Sequence, residues 1–347
     1  MGKLSKVQMT LWEKARALGS GNMGVALTDE ACAYLVGRVA LDLGLGSQFK
    51  EVPANLPEFF SKCHPQDLVV KGIDPIALFY RLVSAQQDAD TFFACLAQLH
   101  KLRLKYAGIL ERQPLPTLEQ VGPRGLLQFG HLSPRALAGL LFWRKWFFDI
   151  DNRAGQETGY LFEPVIAYAV GGTPAPAKKS PIKRSKDSQK GRQVDCILGK
   201  RAYEFKIRVT IAASGQGRWA EELAFPVDCK HSGYTPVLVC LDATSNQKLT
   251  ELAAAFAREG GEVYLGAQAW QHLDGLAGKT MAKFLEGYVR GPLNALIEEA
   301  PAELPDFSAS LSGGVLTITV GGEVLKIDRS TPFETDNGDV MPDDVTD

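Results

Sequence analysis

The sequence predicts an α/β protein: a mixed-sheet core, a helical N-terminal region and a small C-terminal β-hairpin. Three observations predict it. Apolar residues recur at helical spacing through the first 150 residues. From 151 to about 290 the pattern changes to helix, hairpin, helix, strand, helix, strand, the order of a layered α/β core. Near the end, Leu316 to Val320 and Val324 to Ile327 flank Gly321-Gly322, which reads as a last hairpin.

In the N-terminal region, 1 to 150, Asp29 to Leu45 and Asp88 to Leu110 are helical, the second burying Phe92, Phe93, Leu96, Leu99 and Leu102. Ser133-Pro134 supplies an N-cap and a Pro at the first helical position ahead of Leu137 to Ile150. Trp143, Trp146, Phe147 and Phe148 lie there, and such a stripe is more often core than a stacking platform. In the segment 151 to 290, a helix from about Glu157 to Val170 precedes a Gly/Pro/Lys-rich loop and a hairpin. Arg218 to Asp228 is helical, and Pro236 to Asp242 is an apolar strand of the kind buried on both faces. Leu249 to Glu259 is a helix ended by Gly260-Gly261, and Glu262 to Leu265 is a short strand. A C-terminal extension, 291 to 333, carries the last hairpin. The tail, 334 to 347, has acids without Lys or Arg and reads as disordered.

Bulk properties bound the function. The chain has 347 residues and a net charge of −2, so global charge points to no polyanionic partner. Its 6 cysteines form no C-x-x-C pair and no zinc pattern with His, and read as reduced, mostly buried thiols of a cytoplasmic protein. No signal-peptide region and no membrane span is expected. No P-loop is present, and the Gly-x-Gly pairs lack the setting of a dinucleotide site, so no nucleotide cofactor is expected.

The most informative stretch runs from Gln193 to Lys206. Val194 to Leu198 and Ala202 to Val209 are strand-like, and Gly199-Lys200 between them suits a two-residue type II′ turn. In that register Leu198 faces Arg201 and Asp195 faces Glu204, with Lys206 on the same face as Glu204. Val194, Cys196, Leu198, Tyr203, Phe205 and Ile207 would form the opposite, core face. Two carboxylates held opposite each other repel. A divalent cation offsets that, and Mg²⁺ is commonly held by one or two carboxylates with water and substrate phosphate. The Lys206 ammonium would orient or deprotonate a water. This is the chemistry of metal-assisted phosphodiester hydrolysis. Asp followed by Glu-x-Lys also arises among solvated surface charges; the register and the apolar back face set this instance apart.

These residues and their order resemble the PD-(D/E)XK nucleases, and among them the type II restriction endonucleases, with a general look similar to the ApaLI-like enzymes. Asp195, Glu204 and Lys206 match the D, E and K, and the helix around Gly159 to Ile166 offers Glu163 as the family's acidic residue. Val194 stands where a Pro is usual. The resemblance covers about residues 153 to 245. It implies a restriction-endonuclease-like core, Mg²⁺ at Asp195, Glu204 and Glu163, and in-line cleavage of double-stranded DNA leaving a 5′-phosphate and a 3′-hydroxyl. One such hairpin and no internal repeat, set against two antiparallel DNA strands, predict a homodimer or a higher even assembly, with the N-terminal helical region supporting the dimer or embracing DNA. Glu157 rivals Glu163, but as a first-turn carboxylate it also simply complements the helix dipole. Pro164 should kink the helix or start it late.

Two further segments are candidates for DNA binding. Lys178, Lys179, Lys183, Arg184, Lys186, Lys190 and Arg192 crowd a stretch that reads as a mobile basic loop, either a phosphate-binding segment or a solvated linker. Gln216 and Arg218 are side chains suited to base edges in the major groove, while the glycines around them also suit a plain loop or backbone phosphate binding. Glu221 and Glu222 are either auxiliary acids or a solvated helix face. The competing functions are a structure-specific repair or recombination nuclease with the same core, and a DNA-binding module with a dead nuclease fold.

Overall fold

A computed structural model describes residues 4–18, 24–207, 216–242, 244–299 and 302–329, apart from the side chains of 156–161 and 216–218. The N-terminal helices are α1 (Lys6–Arg16), α2 (Asp29–Asp42), α3 (Pro75–Ala85), α4 (Ala89–Arg112), α5 (Leu118–Gly125) and α6 (Pro134–Ala169). Then come β1 (Thr173–Ala175), β2 (Lys183–Arg184), β3 (Asp187–Gly191), β4 (Val194–Leu198), β5 (Arg201–Lys206), α7 (Gln216–His231), β6 (Thr235–Cys240), α8 (Gln247–Arg258), β7 (Glu262–Leu265) and α9 (Ala267–Leu285). A π-helical turn over Glu286–Arg290 leads to α10 (Gly291–Glu298), and β8 (Phe307–Ser312), β9 (Val315–Val320) and β10 (Glu323–Asp328) follow.

Local chemistry explains many of the ends. Ser5 and Gln8 make a capping box at α1, Thr28 caps α2, Asp74 caps α3 ahead of Pro75, and Asn246 caps α8. Each cap satisfies amide groups that the first helical turn leaves open. The two helices expected at Leu137 to Ile150 and Glu157 to Val170 are one helix of 36 residues, continuous through Pro164. Proline removes one ladder hydrogen bond. The apolar Val165-Ile166-Ala167 that follows it is buried in the core, and that burial keeps the helix going.

The chain divides into two compact units, one of residues 1–104 and 157–298, the other of 105–156 and 299–347. The first unit holds a five-stranded mixed sheet in the order β1-β4-β5-β6-β7, with β5, β6 and β7 parallel and β1, β4 and β5 antiparallel. Helices cover both faces. Cys196, Tyr203, Phe205, Val237 and Val239 pack with α2, α3, α4, α9 and the end of α6 in one core. Val194, Ala202, Leu238 and Cys240 pack with Phe225 and Cys229 of α7 and Leu252 and Phe256 of α8 in another. Val194 therefore departs from the expected face: it joins the second core, next to an irregularity in the β1–β4 register between Thr173 and Ala175. The opposite face is also less open than the sequence suggests, because α7 and α8 close over part of it.

In the second unit, β8, β9 and β10 form an antiparallel sheet, so the expected C-terminal hairpin gains a third strand. Leu316 and Ile327 pack on Trp146 and Ile150 of α6. Trp146 is buried as expected of core, whereas Phe148 is exposed. The acidic tail, 334 to 347, lies outside the described residues.

Candidate active site

β4 and β5 pair with Leu198 opposite Arg201, Ile197 opposite Ala202 and Cys196 opposite Tyr203. Continued one residue outward, this register sets Asp195 against Glu204. The turn is the expected one: Gly199 has φ of 58°, while Lys200 keeps negative φ, the type II′ pattern. A second glycine fixes the hairpin from outside. A Cβ on Gly172 would lie 2.2 Å from Cys196 Sγ, so only glycine lets the chain leaving α6 pass so close to β4.

The charged residues gather where β5 ends. Asp195 is only 7 % exposed, and its Oδ2 accepts a hydrogen bond from the Phe205 amide at 2.8 Å. Burial, then the nearby carboxylates of Glu204 and Glu163, push the Asp195 carboxyl well above the usual carboxylate range; the Phe205 amide and Lys206 pull the other way. The Glu163 side chain on α6 is thus within electrostatic reach of the hairpin, as the sequence expects. The rival Glu157 has a side chain outside the described residues.

Lys206 Nζ lies 2.8 Å from Glu204 Oε1 and 3.6 Å from Glu222 Oε1. Burial lowers its pKa, but the attraction of Glu204 and Glu222 outweighs burial and holds it above the ordinary lysine value. Lys206 is an ammonium ion across the working range. Glu222, which the sequence left open between auxiliary acid and solvated face, stands in the site. Glu221 does not: it faces away, to Arg184 and Arg192. Adjacent positions on a helix point about 100° apart, so their different fates follow from helix geometry.

The basic stretch is more ordered than expected. Ala177–Lys179 is a 3₁₀ turn, and β2 and β3 pair as a small hairpin. Arg192 is buried: Nη1 meets Asp228 Oδ2 at 2.7 Å, and the guanidinium lies 5.5 Å from the centre of the Phe225 ring. These contacts fasten the hairpin to α7. Arg184 is held by Glu221 at 2.7 Å. Lys178, Lys179, Lys183, Lys186 and Lys190 are exposed, with Lys190 in a loose pair with Asp187 at 3.8 Å. Gln216 and Arg218 fall at the start of α7, and their side chains lie outside the described residues.

Among the described residues, no three His, Cys, Asp or Glu side chains form a ready set of metal ligands. All six cysteines are free thiols. His272 is structural, stacked on Tyr264 with ring centres 3.8 Å apart. No described helix is long and apolar enough to cross a membrane.

Two comparisons with known proteins bear on this arrangement. The family model described as ApaLI-like restriction endonuclease matches residues 76–290, a span that contains every residue of the acidic cluster. A relative from Acetobacter pasteurianus, the type II restriction enzyme ApaLI, is 43 % identical over 340 residues, covering 89 % of this chain and 90 % of the relative. No solved structure matches the chain. Fold and relatives together define a type II restriction endonuclease, a hydrolase that cuts DNA at specific sites. Within that class, the chain belongs to the ApaLI-like restriction endonucleases.

Proposed function

We propose that the hairpin of Asp195, Glu204 and Lys206 is the catalytic centre of a PD-(D/E)XK nuclease. On this reading the enzyme is a homodimer that uses Mg²⁺ to hydrolyse both strands of double-stranded DNA at a short palindromic sequence. The observation that carries the reading is the excess of carboxylate at the end of β5. Glu204 and Glu163 both act on the buried Asp195, and Lys206 is the cation paired with Glu204.

The donors suit a hard divalent cation, since all are carboxylate oxygens and the Asp195 carboxyl is held in need of positive charge. Asp195 and Glu204 would hold it, with Glu163 supporting from α6, and water and a substrate phosphate completing the shell. The cation would supply Lewis acidity toward the phosphoryl oxygen and a more acidic bound water.

The protein's own groups have defined tasks. The Phe205 amide fixes the orientation of Asp195 through Oδ2. Glu204 and Glu222 keep the Lys206 ammonium charged and in place. A lysine so held orients the attacking water and meets the charge that develops on the phosphate; it is a poor proton acceptor. The site lies at the carboxyl end of the parallel strands β5 and β6, where open α/β sheets bind their ligands. Lys178, Lys179, Lys183, Lys186 and Lys190 offer charge to the DNA backbone, and Gln216 and Arg218 are kept as the base-reading candidates.

Plasmid cleavage with Mg²⁺ tests the assignment. Lys206→Ala or Asp195→Ala should lower the cleavage rate by about a hundredfold or more. Wild-type rates in a folded Asp195→Ala protein would refute it.

A further inference from the structure

The turn between α5 and α6, within the second unit, is apolar and faces outward. Leu126, Leu127 and Phe129 are 76, 88 and 68 % exposed, and Leu132, which bridges to Phe129, is 44 % exposed. Large apolar side chains massed on a surface mark an interaction site. The turn is built as a firm tip. Leu126–Gln128 is a 3₁₀ turn, Phe129 and Leu132 form a β-bridge, and the His131 amide donates to the Gln128 carbonyl at 3.2 Å. Gly130 takes a φ of 95° at its apex, and Arg144 Nη1 braces it by donating to Gln128 Oε1 at 3.4 Å. Beneath it, Val121, Leu137 and Leu141 make a small core.

Charge decides what fits this tip. From Gln120 to Phe148 there is no Asp or Glu, and the charged residues are Arg124, Arg135, Arg144 and Lys145. Lys145 is taken by Asp149, while Arg124, Arg135 and Arg144 are exposed. A two-fold interface between copies of this face would set like charges against each other. A polyanion with apolar base faces suits it better.

We propose that this tip is a wedge for duplex DNA. Leu127 and Phe129 insert at a base step, and Arg124, Arg135 and Arg144 meet the flanking phosphates. Apolar wedges unstack a step and kink the duplex, and the larger protein surface that bent DNA wraps offsets the unstacking. The proposal rests on the reading of this chain as an enzyme of double-stranded DNA.

The test is chemical probing of unstacked bases, by permanganate for thymines and diethylpyrocarbonate for purines. The probe is a DNA fragment that the wild-type enzyme cleaves. The full-length Lys206→Ala protein is bound to it in metal-free buffer, so the strands stay intact. A hyper-reactive step is expected under this protein. It should vanish in Lys206→Ala proteins that also carry Phe129→Ser or Leu127→Ser, which should still bind, roughly tenfold more weakly. Phe129→Trp should keep it. Both positions lie outside the core, and thermal melting checks that each variant is folded. Equal reactivity in all proteins, or none in any, overturns the wedge while leaving DNA binding intact. Failure of the Lys206→Ala protein to bind the fragment at all overturns the underlying reading as well. Conversion of a dimer to a monomer by Phe129→Ser, seen by native mass measurement, assigns the tip to a second copy and overturns the proposal.

Discussion

Asp195 is costly to the fold and, on the proposed reading, useful to the chemistry. Burial and its acidic neighbours raise its pKa, so the folded state favours the protonated form. Its contribution to stability is therefore full below the ordinary carboxylate range and is lost as pH rises through the raised value. Asp195→Asn, neutral at every pH and still able to accept from the Phe205 amide, should melt higher than wild type in metal-free buffer at mildly alkaline pH. The gain should shrink toward acid, and Mg²⁺ should stabilise the wild type alone. Thermal melts across pH check this; an Asn variant that melts lower at all pH values would contradict the raised carboxyl. The register that sets Asp195 against Glu204, with Lys206 on the same face, was legible because strand alternation and a two-residue turn determine it; Glu163 came from the family resemblance alone. Glu222 was only half legible. Its role depends on where α7 crosses β5, and no local pattern encodes that distance.

At the scale of elements, the basic stretch before β4 is where sequence and structure part. Composition predicts a mobile basic loop, because lysine and serine dominate it. Ile182, buried in the second core, the Arg192–Asp228 pair, and the Ser185 amide, which donates to Asp228 at 2.7 Å, instead tie it to α7. These are long-range partners that a window of composition cannot see. Arg192→Ala should leave Asp228 buried without its cation and cost about 3–5 kcal/mol of stability, read by urea unfolding. Lys183→Ala with Lys186→Ala and Lys190→Ala should leave stability unchanged. That triple variant should flatten the plot of log binding constant against log salt by roughly 0.9 for each phosphate no longer neutralised. The opposite assignment of effects would exchange the roles of arginine and lysines. The strands β6 and β7 and helix α8 were readable for the ordinary reason that apolar runs, caps and glycine stops agree there.

At the scale of the molecule, the single proposed catalytic hairpin faces a substrate with two antiparallel strands. On the proposed reading a homodimer, or a higher even assembly, would supply the second centre, and its two-fold axis would select a palindrome. Light scattering on the DNA-bound enzyme should give an even number of chains, and sequenced fragment ends should share a palindromic core; a monomer on DNA under cleaving conditions would rule the assembly out. The division into two units was only partly legible, because two of its three boundaries fall inside α4 and α6, where the helical pattern runs on unbroken, and only the third follows the end of a helix, α10. That division bears on how the chain is made. The aromatic side of α6 near Trp146 receives its cover from Leu316 and Ile327, which leave the ribosome about 170 residues later. At typical rates of synthesis this is roughly ten to thirty seconds. For that interval the aromatic side of α6 lacks the cover that these last strands bring.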